Sequence, residues 1–354
     1  MNKVRRAENS SVSEAACIEA VAPARIDLAG GTVDIWPLYL FHDGALTINA
    51  GISLYVRVRV AASNDGLFHV IDLNKGRTCT TTSVHAMKHK RGFKLFGWAL
   101  HHFLPPAGVT VSYSTMVPEG AGLAGSSSLL VALCGALNHM TRTQYSRVRL
   151  LEILRDIETQ LIGVPAGLQD YYPALWGGIN AIRWDVGGGR REPVGLPVKD
   201  LEQWLMLVST KTSRYSGANN WTIVKRHIEG DARIQRGLAK IVAATNMMRE
   251  ALSNRDYLKV GAAMDQEAAY RKQLVSSIMT PGIRRLEATA KSLGVLASKV
   301  CGAGGGGCVL LFLEPHRRES VRQRLIEAGY EIVPFRIARS GLAVRQVPVT
   351  ALMG

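Results

Sequence analysis

Cysteine is scarce here: Cys17, Cys79, Cys134, Cys301 and Cys308 are five in 354 residues, an odd number without a Cys-x-x-Cys pair. That excludes a disulfide framework and a cysteine zinc site, and it suits a reduced, cytoplasmic enzyme. Adjacent His101 and His102 point to different faces of any helix or strand, so they do not share a metal. No apolar run is long enough for a membrane span. Residues 1–17 lack the apolar middle of a secretory signal and read as a loose polar tail. Aromatic residues reach only 6% and are not interleaved with the basic ones, which argues against nucleic acid. The excess of 43 Lys and Arg over 28 Asp and Glu, a net charge of +15, instead suits anionic metabolites such as ATP and phosphorylated small molecules.

What is present is a hydrophobic content of 47% with 20% charge, enough for a globular protein of two ordinary domains. Its most informative stretch is 118–128, Pro-Glu-Gly-Ala-Gly-Leu-Ala-Gly-Ser-Ser-Ser, followed by an apolar run over 129–140. Glycines let the backbone approach a ligand, and hydroxyl residues at a helix start leave N–H groups free for an anion. The pattern predicts a phosphate cradle. No Gly-Lys-[Ser/Thr] follows, so it is not a Walker A loop, and it is read as lacking the Gly-x-Gly-x-x-Gly of a dinucleotide fold. The plainer reading is a turn with a serine cap.

Two further segments favour the cradle. Ala22-Pro23-Ala24-Arg25-Ile26-Asp27-Leu28-Ala29-Gly30-Gly31-Thr32-Val33-Asp34 lies near the start. Lys299-Val300-Cys301-Gly302-Ala303-Gly304-Gly305-Gly306-Gly307-Cys308 lies near the end, before an apolar strand-like run. In this order the three resemble the signature motifs of the GHMP kinases, the galactokinase, homoserine, mevalonate and phosphomevalonate kinase superfamily. The resemblance implies an α+β fold of two domains, ribosomal-protein-like then ferredoxin-like, with the site between them. It also implies ATP, Mg2+ and a small anionic or polyhydroxylated acceptor.

Carried over residue by residue, the resemblance assigns the nucleotide phosphates to Pro118, Gly120, Ala121, Gly122, Leu123, Ala124, Gly125, Ser126, Ser127 and Ser128. Aligned on Gly122-Leu123, Ser126 takes the magnesium role; shifted by one residue, Ser127 does. The family's usual Gly-Leu-Gly-Ser-Ser reads Gly122-Leu123-Ala124-Gly125-Ser126-Ser127 here. The second metal ligand is expected at Glu158, on the shoulder of the apolar stripe of a helix over 146–162, where an inward carboxylate needs a cation. Asp170, in Gly167-Leu168-Gln169-Asp170-Tyr171, is the expected base or orienter of the acceptor hydroxyl, with helix capping as its plainer role. Arg25 is expected beside it, stabilising the transferred phosphoryl charge. Asp34 is expected to hold acceptor hydroxyls, with Gly30, Gly31, Thr32, Tyr171, Gly304 and Gly305 around it.

Within the superfamily the chain is most similar to the D-glycero-D-manno-heptose 7-phosphate kinases. Thr210-Lys211-Thr212-Ser213-Arg214-Tyr215-Ser216, Tyr270-Arg271-Lys272-Gln273-Leu274 and Gly177-Gly178-Ile179-Asn180 carry that likeness. It implies phosphorylation of an anomeric C1 hydroxyl, with Arg214 for a second, distal phosphate. A kinase for a free sugar of the fucose, galactose or glucuronate type is the alternative. Others are a mevalonate-type acceptor and a non-catalytic sugar- and nucleotide-binding regulator. A homodimer is compatible with the sequence. The adenine pocket is not legible, although Trp98 is one aromatic that could flank a base. Along the chain, strands are expected within 18–62 and at 109–113, 205–209 and 297–313. Helices are expected at 95–103, 128–140, 146–162, 217–228, 231–253, 256–275 and 317–328. A Gly-rich break at 185–190 is read as a hinge dividing domains at 18–186 and 187–354.

Overall fold

In the computed structural model, residues 16–211, 217–274, 276–302 and 304–353 are described. The first half runs β1 (Ala16–Ala29), β2 (Leu46–Ala62), β3 (Phe68–Asp72), β4 (Arg77–Thr81), α1 (Val84–Met87), α2 (Lys94–Phe103), β5 (Val109–Thr115), α3 (Gly125–Met140), α4 (Arg147–Ile162), α5 (Tyr171–Trp176), β6 (Ile179–Asp185) and β7 (Gly188–Pro193). The second runs α6 (Val198–Glu202), β8 (Leu205–Ser209), α7 (Gly217–Ile228), α8 (Ala232–Ser253), α9 (Tyr257–Leu274), α10 (Pro281–Ser292), β9 (Ala297–Val300), β10 (Cys308–Phe312), α11 (Arg318–Glu327), β11 (Glu331–Val333) and β12 (Ala343–Pro348).

Two sheets organise these elements. The larger has the order β12-β1-β2-β5-β3-β4, with β6 joining β2 and β7 joining β6. Strand β2 is long enough to pair with β1 from Ile18 to Ala29 on one edge and with β5 and β6 in succession on the other. Both its faces are covered, so burial is nearly continuous along it even though the sequence alternates, with Thr47, Asn49 and Arg59 buried opposite the apolar positions. The smaller sheet has the order β11-β8-β10-β9, all antiparallel. Numbered within itself this is 4-1-3-2, the ferredoxin-like arrangement.

Alternation sorts the cores. In β8 and β10, Leu205, Leu207, Leu310 and Phe312 join the core shared with β1, β2, α8 and α9. Met206, Val208, Val309 and Leu311 pack instead against α10 and α11. In β1, Ala24, Ile26 and Leu28 enter the shared core, so Arg25 and Asp27 present the opposite face. That face is the floor of the site.

The expected hinge at 185–190 is corrected. Asp185 and Gly188 face each other at the tip of the β6–β7 hairpin, inside the larger sheet. The larger sheet also takes β12 from the chain's end, paired along β1.

Candidate active site

The glycine segment leaves β5 and turns twice through left-handed backbone, at Gly120 (φ 69°) and Gly122 (φ 74°), before Ala124 (φ 60°) caps α3 without a side-chain hydrogen bond. Helix α3 starts at Gly125 rather than at 128, because the turn is tighter than the serine run suggests. Gly125, Ser126 and Ser127 therefore open its first turn, where N–H groups have no helical acceptor and attract anions. Ser128 faces inward and ties the turn to β1, donating to Pro23 O at 2.9 Å. The expected absence of Gly-x-Gly-x-x-Gly is corrected: Gly120-Ala121-Gly122-Leu123-Ala124-Gly125 spells it. The required context is missing, since β5 is antiparallel to β2 and leads into no parallel βαβ unit.

The third motif backs this turn. Cys308 N–H donates to Ala121 O at 2.9 Å. A Cβ on Gly122 would lie 2.4 Å from Cys301 O, and one on Gly307 would lie 2.6 Å from Gly120 O. Only glycine lets these two backbones touch.

The turn forms one wall of a cleft of about 970 Å³, lined also by Arg25, Asp27, Thr32, Asp34, Glu158, Gln169, Asp170, Asn220, Arg271 and Gly302. Arg25, 4% exposed, donates from Nε to Asp170 Oδ1 at 2.7 Å and from Nη1 to Gly122 O at 2.6 Å. Asp170 stands at the N-cap of α5 yet makes no cap hydrogen bond. Its carboxylate is committed to Arg25, so the capping role is not the one it plays.

Glu158 reaches in from α4. Its Oε2 lies 3.5 Å from Ser127 Oγ and accepts from the buried Tyr171 hydroxyl. Burial raises the carboxyl to about 7, helped by the charge of Asp170 and opposed by the hydrogen bonds from Tyr171 and Ser127. Across the cleft Asp34 accepts from Gln169 N at 3.0 Å and from Gln169 Nε2 at 3.3 Å. Burial raises it to about 7 as well, and Asp170 and Asp27 add to the effect. Gly167 has no room for a side chain, since a Cβ there would lie 2.3 Å from Asp34 Oδ2.

Of the residues expected from sequence, Arg25, Thr32, Asp34, Pro118, Gly120 to Ser127, Glu158 and Asp170 line the cleft. Gly30, Gly31, Ser128, Tyr171, Gly304 and Gly305 are not among its lining residues. Tyr171 is fully buried and serves Glu158 rather than a substrate. Gly305 N–H is used by Ile278 O. Arg214 lies outside the described residues. Trp98 is also away from the cleft, holding the Lys88 ammonium 4.0 Å from its ring centre, and among the described residues the aromatic lining the cleft is Tyr113.

Sequence reasoning gave no role to a buried ionic group on the cleft floor. Asp27, Glu267, Arg271 and Lys299 are 1%, 0%, 7% and 1% exposed. Lys299 pairs with Glu267 and lies 3.6 Å from Asp27, while Arg271 donates to Asp27 Oδ2 at 3.2 Å. Glu267 and Arg271, four apart, share the buried side of α9, but that helix carries no apolar stripe in sequence to announce it.

Ser127 and Glu158 offer a hydroxyl and a carboxylate oxygen, a hard donor pair that suits Mg2+ completing its shell with phosphate oxygens and water. Among the described residues no group of three or more His, Cys, Asp and Glu could cage a metal unaided. One histidine pair at helical spacing, His85 and His89, meets edge to face at 5.2 Å.

Comparison with known proteins agrees with this geometry. The GHMP kinases N-terminal domain matches residues 85–178 and the GHMP kinases C-terminal domain matches 248–331, together half of the chain. A D-glycero-alpha-D-manno-heptose 7-phosphate kinase of Campylobacter jejuni is 24% identical, over 92% of this chain and 98% of its own. A D-glycero-D-manno-heptose 1-phosphate kinase structure from Bacteroides thetaiotaomicron superposes with a TM-score of 0.72 at 20% identity, covering 93% of this chain and 99% of that one. Lactococcus lactis galactokinase, solved with galactose, gives 0.74 at 18% identity, covering 94% and 95%. With both domains matched in order, and the glycine turn, Arg25, Asp170 and Glu158 converging on one cleft, the chain belongs to the GHMP kinases.

Proposed function

We propose that this enzyme transfers the terminal phosphoryl group of ATP to a hydroxyl of a sugar or sugar phosphate, with a heptose phosphate and its anomeric C1 hydroxyl as the favoured acceptor. The observation that carries the reading is the Arg25–Asp170 ion pair, seated against Gly122 of the phosphate turn. It puts a carboxylate and a fixed cation where an acceptor hydroxyl would meet a bound phosphate, the two groups in-line phosphoryl transfer requires.

The nucleotide phosphates lie on the first turn of α3, and its base extends toward Tyr113, Asn74 and Thr115 along the same cleft. Ser127 and Glu158 would hold Mg2+, which would neutralise phosphate charge. Of the two serines, Ser127 is favoured because its hydroxyl is the one facing Glu158. Asp170 accepts or orients the acceptor hydroxyl proton, and Arg25 stabilises charge on the group in flight. Asp34, held by two N–H groups of Gln169, takes further acceptor hydroxyls. Similarity to the Campylobacter heptose 7-phosphate kinase over nearly both full lengths supports the choice of acceptor class.

The test is magnesium-dependent ADP release with free and phosphorylated hexoses and heptoses, mevalonate and a no-acceptor control. Stimulation by a phosphorylated heptose is expected. Stimulation by mevalonate alone, or by no acceptor despite measurable ATP binding, would overturn the reading.

A further inference from the structure

Thr32 has φ 77°, a backbone conformation that a β-branched residue rarely adopts and that persists only when its surroundings enforce it. The enforcing group comes from the other half of the chain. Arg271, on α9, donates from Nη2 to Thr32 Oγ1 at 3.2 Å and to Gly302 O at 3.2 Å. Its Nη1 donates to Asp27 Oδ2 at 3.2 Å. Glu267, one helical turn earlier, lies 3.8 Å away and is itself held by Lys299. The guanidinium occupies the space a side chain at position 31 would need: a Cβ on Gly31 would lie 2.6 Å from Nη1. The turn that Thr32 closes, with Ile35 N–H donating to Thr32 O at 3.2 Å, is the one that delivers Asp34 to the cleft.

We propose that Arg271 is a positioning residue that clamps the Thr32 turn of the first motif to Gly302 of the third, making one wall for the acceptor. Both terminal nitrogens are engaged by protein oxygens, so the cation shapes the wall and does not bind phosphate. Lysine cannot replace it, because a single ammonium does not span the fork from Asp27 to Thr32 and Gly302. That the wall serves the acceptor rests on the kinase reading above; the clamp itself does not.

The experiment uses the full chain and the acceptor that gives turnover in the panel. Arg271→Lys is expected to raise the acceptor KM roughly tenfold while the ATP KM changes less than about twofold. Thr32→Val, which strips only the hydroxyl and leaves the ionic group intact, should move the acceptor KM in the same direction. In a Thr32→Gly background, where positive φ needs no enforcement, Arg271→Lys should cost clearly less than in the parent. Equal rises in both KM values, or effects that simply multiply, would reduce Arg271 to a buried stabilising charge. Amide exchange over residues 28–36 is the independent arm: it should quicken roughly tenfold in Arg271→Lys, and unchanged exchange would overturn the clamp. Lack of acceptor-stimulated turnover in the parent protein would count against the kinase reading, and the exchange arm would still decide the clamp.

Discussion

Replacing Glu158 by glutamine is expected to stabilise the ligand-free protein while weakening its response to magnesium. The carboxyl titrates near 4.5 when exposed and is raised to about 7 in the cleft, mainly by burial. The unfolded chain therefore gives up this proton first, and between those values the folded state holds more protons than the unfolded one. Stability then falls as pH rises through that window and levels off above it. A shift of this size corresponds to about 3 kcal/mol at most, at 1.36 kcal/mol per pKa unit. Glu158 is only half-buried and opens on the cleft, so water screens it and about 1–2 kcal/mol is the realistic share. For 354 residues, 1 kcal/mol moves the melting temperature by roughly 1.3 °C. Glu158→Gln should thus melt about 2 °C higher than the parent at pH 8, and the gain should vanish near pH 4.5. The measurement is calorimetric melting of both proteins at the two pH values without nucleotide or metal, beside a magnesium titration of turnover. Asp34, also raised to about 7, shares the window, so the parent should lose more stability than this substitution restores. A glutamine variant that melts lower at pH 8, or differs equally at both values, would refute the buried-carboxylate argument. An unchanged magnesium requirement would remove the ligand role.

Asp170→Asn keeps an oxygen for Arg25 but cannot take a proton; turnover should fall about 10²–10⁴-fold with ATP binding within a few-fold, read by single-turnover kinetics and calorimetric titration. Ser127→Ala should raise the magnesium concentration needed for half-maximal rate, and Ser126→Ala should not; the reverse result would transfer the metal role to Ser126. Gly122→Ala introduces a Cβ 2.4 Å from Cys301 O at a residue with φ 74°, so strain of about 1–3 kcal/mol and loss of ATP affinity are expected in melting and binding assays.

The residues legible in the sequence were those whose chemistry is local. A glycine turn before a serine run announces itself, because backbone approach and free N–H groups depend on neighbours in the chain. Glu158 was legible by its place on the shoulder of α4, and β8 and β10 by their short, unbroken apolar runs. The 185–190 break misled because glycine clusters mark hairpin tips and domain hinges alike, and only the strand register distinguishes them. Helix α3 was placed late because serine favours caps, while here a left-handed Ala124 starts the helix without one.

What stayed hidden depends on pairing across long chain separations. Asp27, Glu267, Arg271 and Lys299 each look like an ordinary charge within a strand or helix, and only their convergence makes burial tolerable. Glycines in the first and third motifs are the visible trace of that convergence. They clear space for the Arg271 guanidinium beside Gly31 and for backbone contact between Gly122 and Gly302. A motif therefore reports the space its residues vacate, and the group that fills the space is found in another part of the chain. Thr32 follows the same logic: its backbone is one that glycine adopts freely, and it is held there by a hydrogen bond from Arg271, 239 residues along the chain.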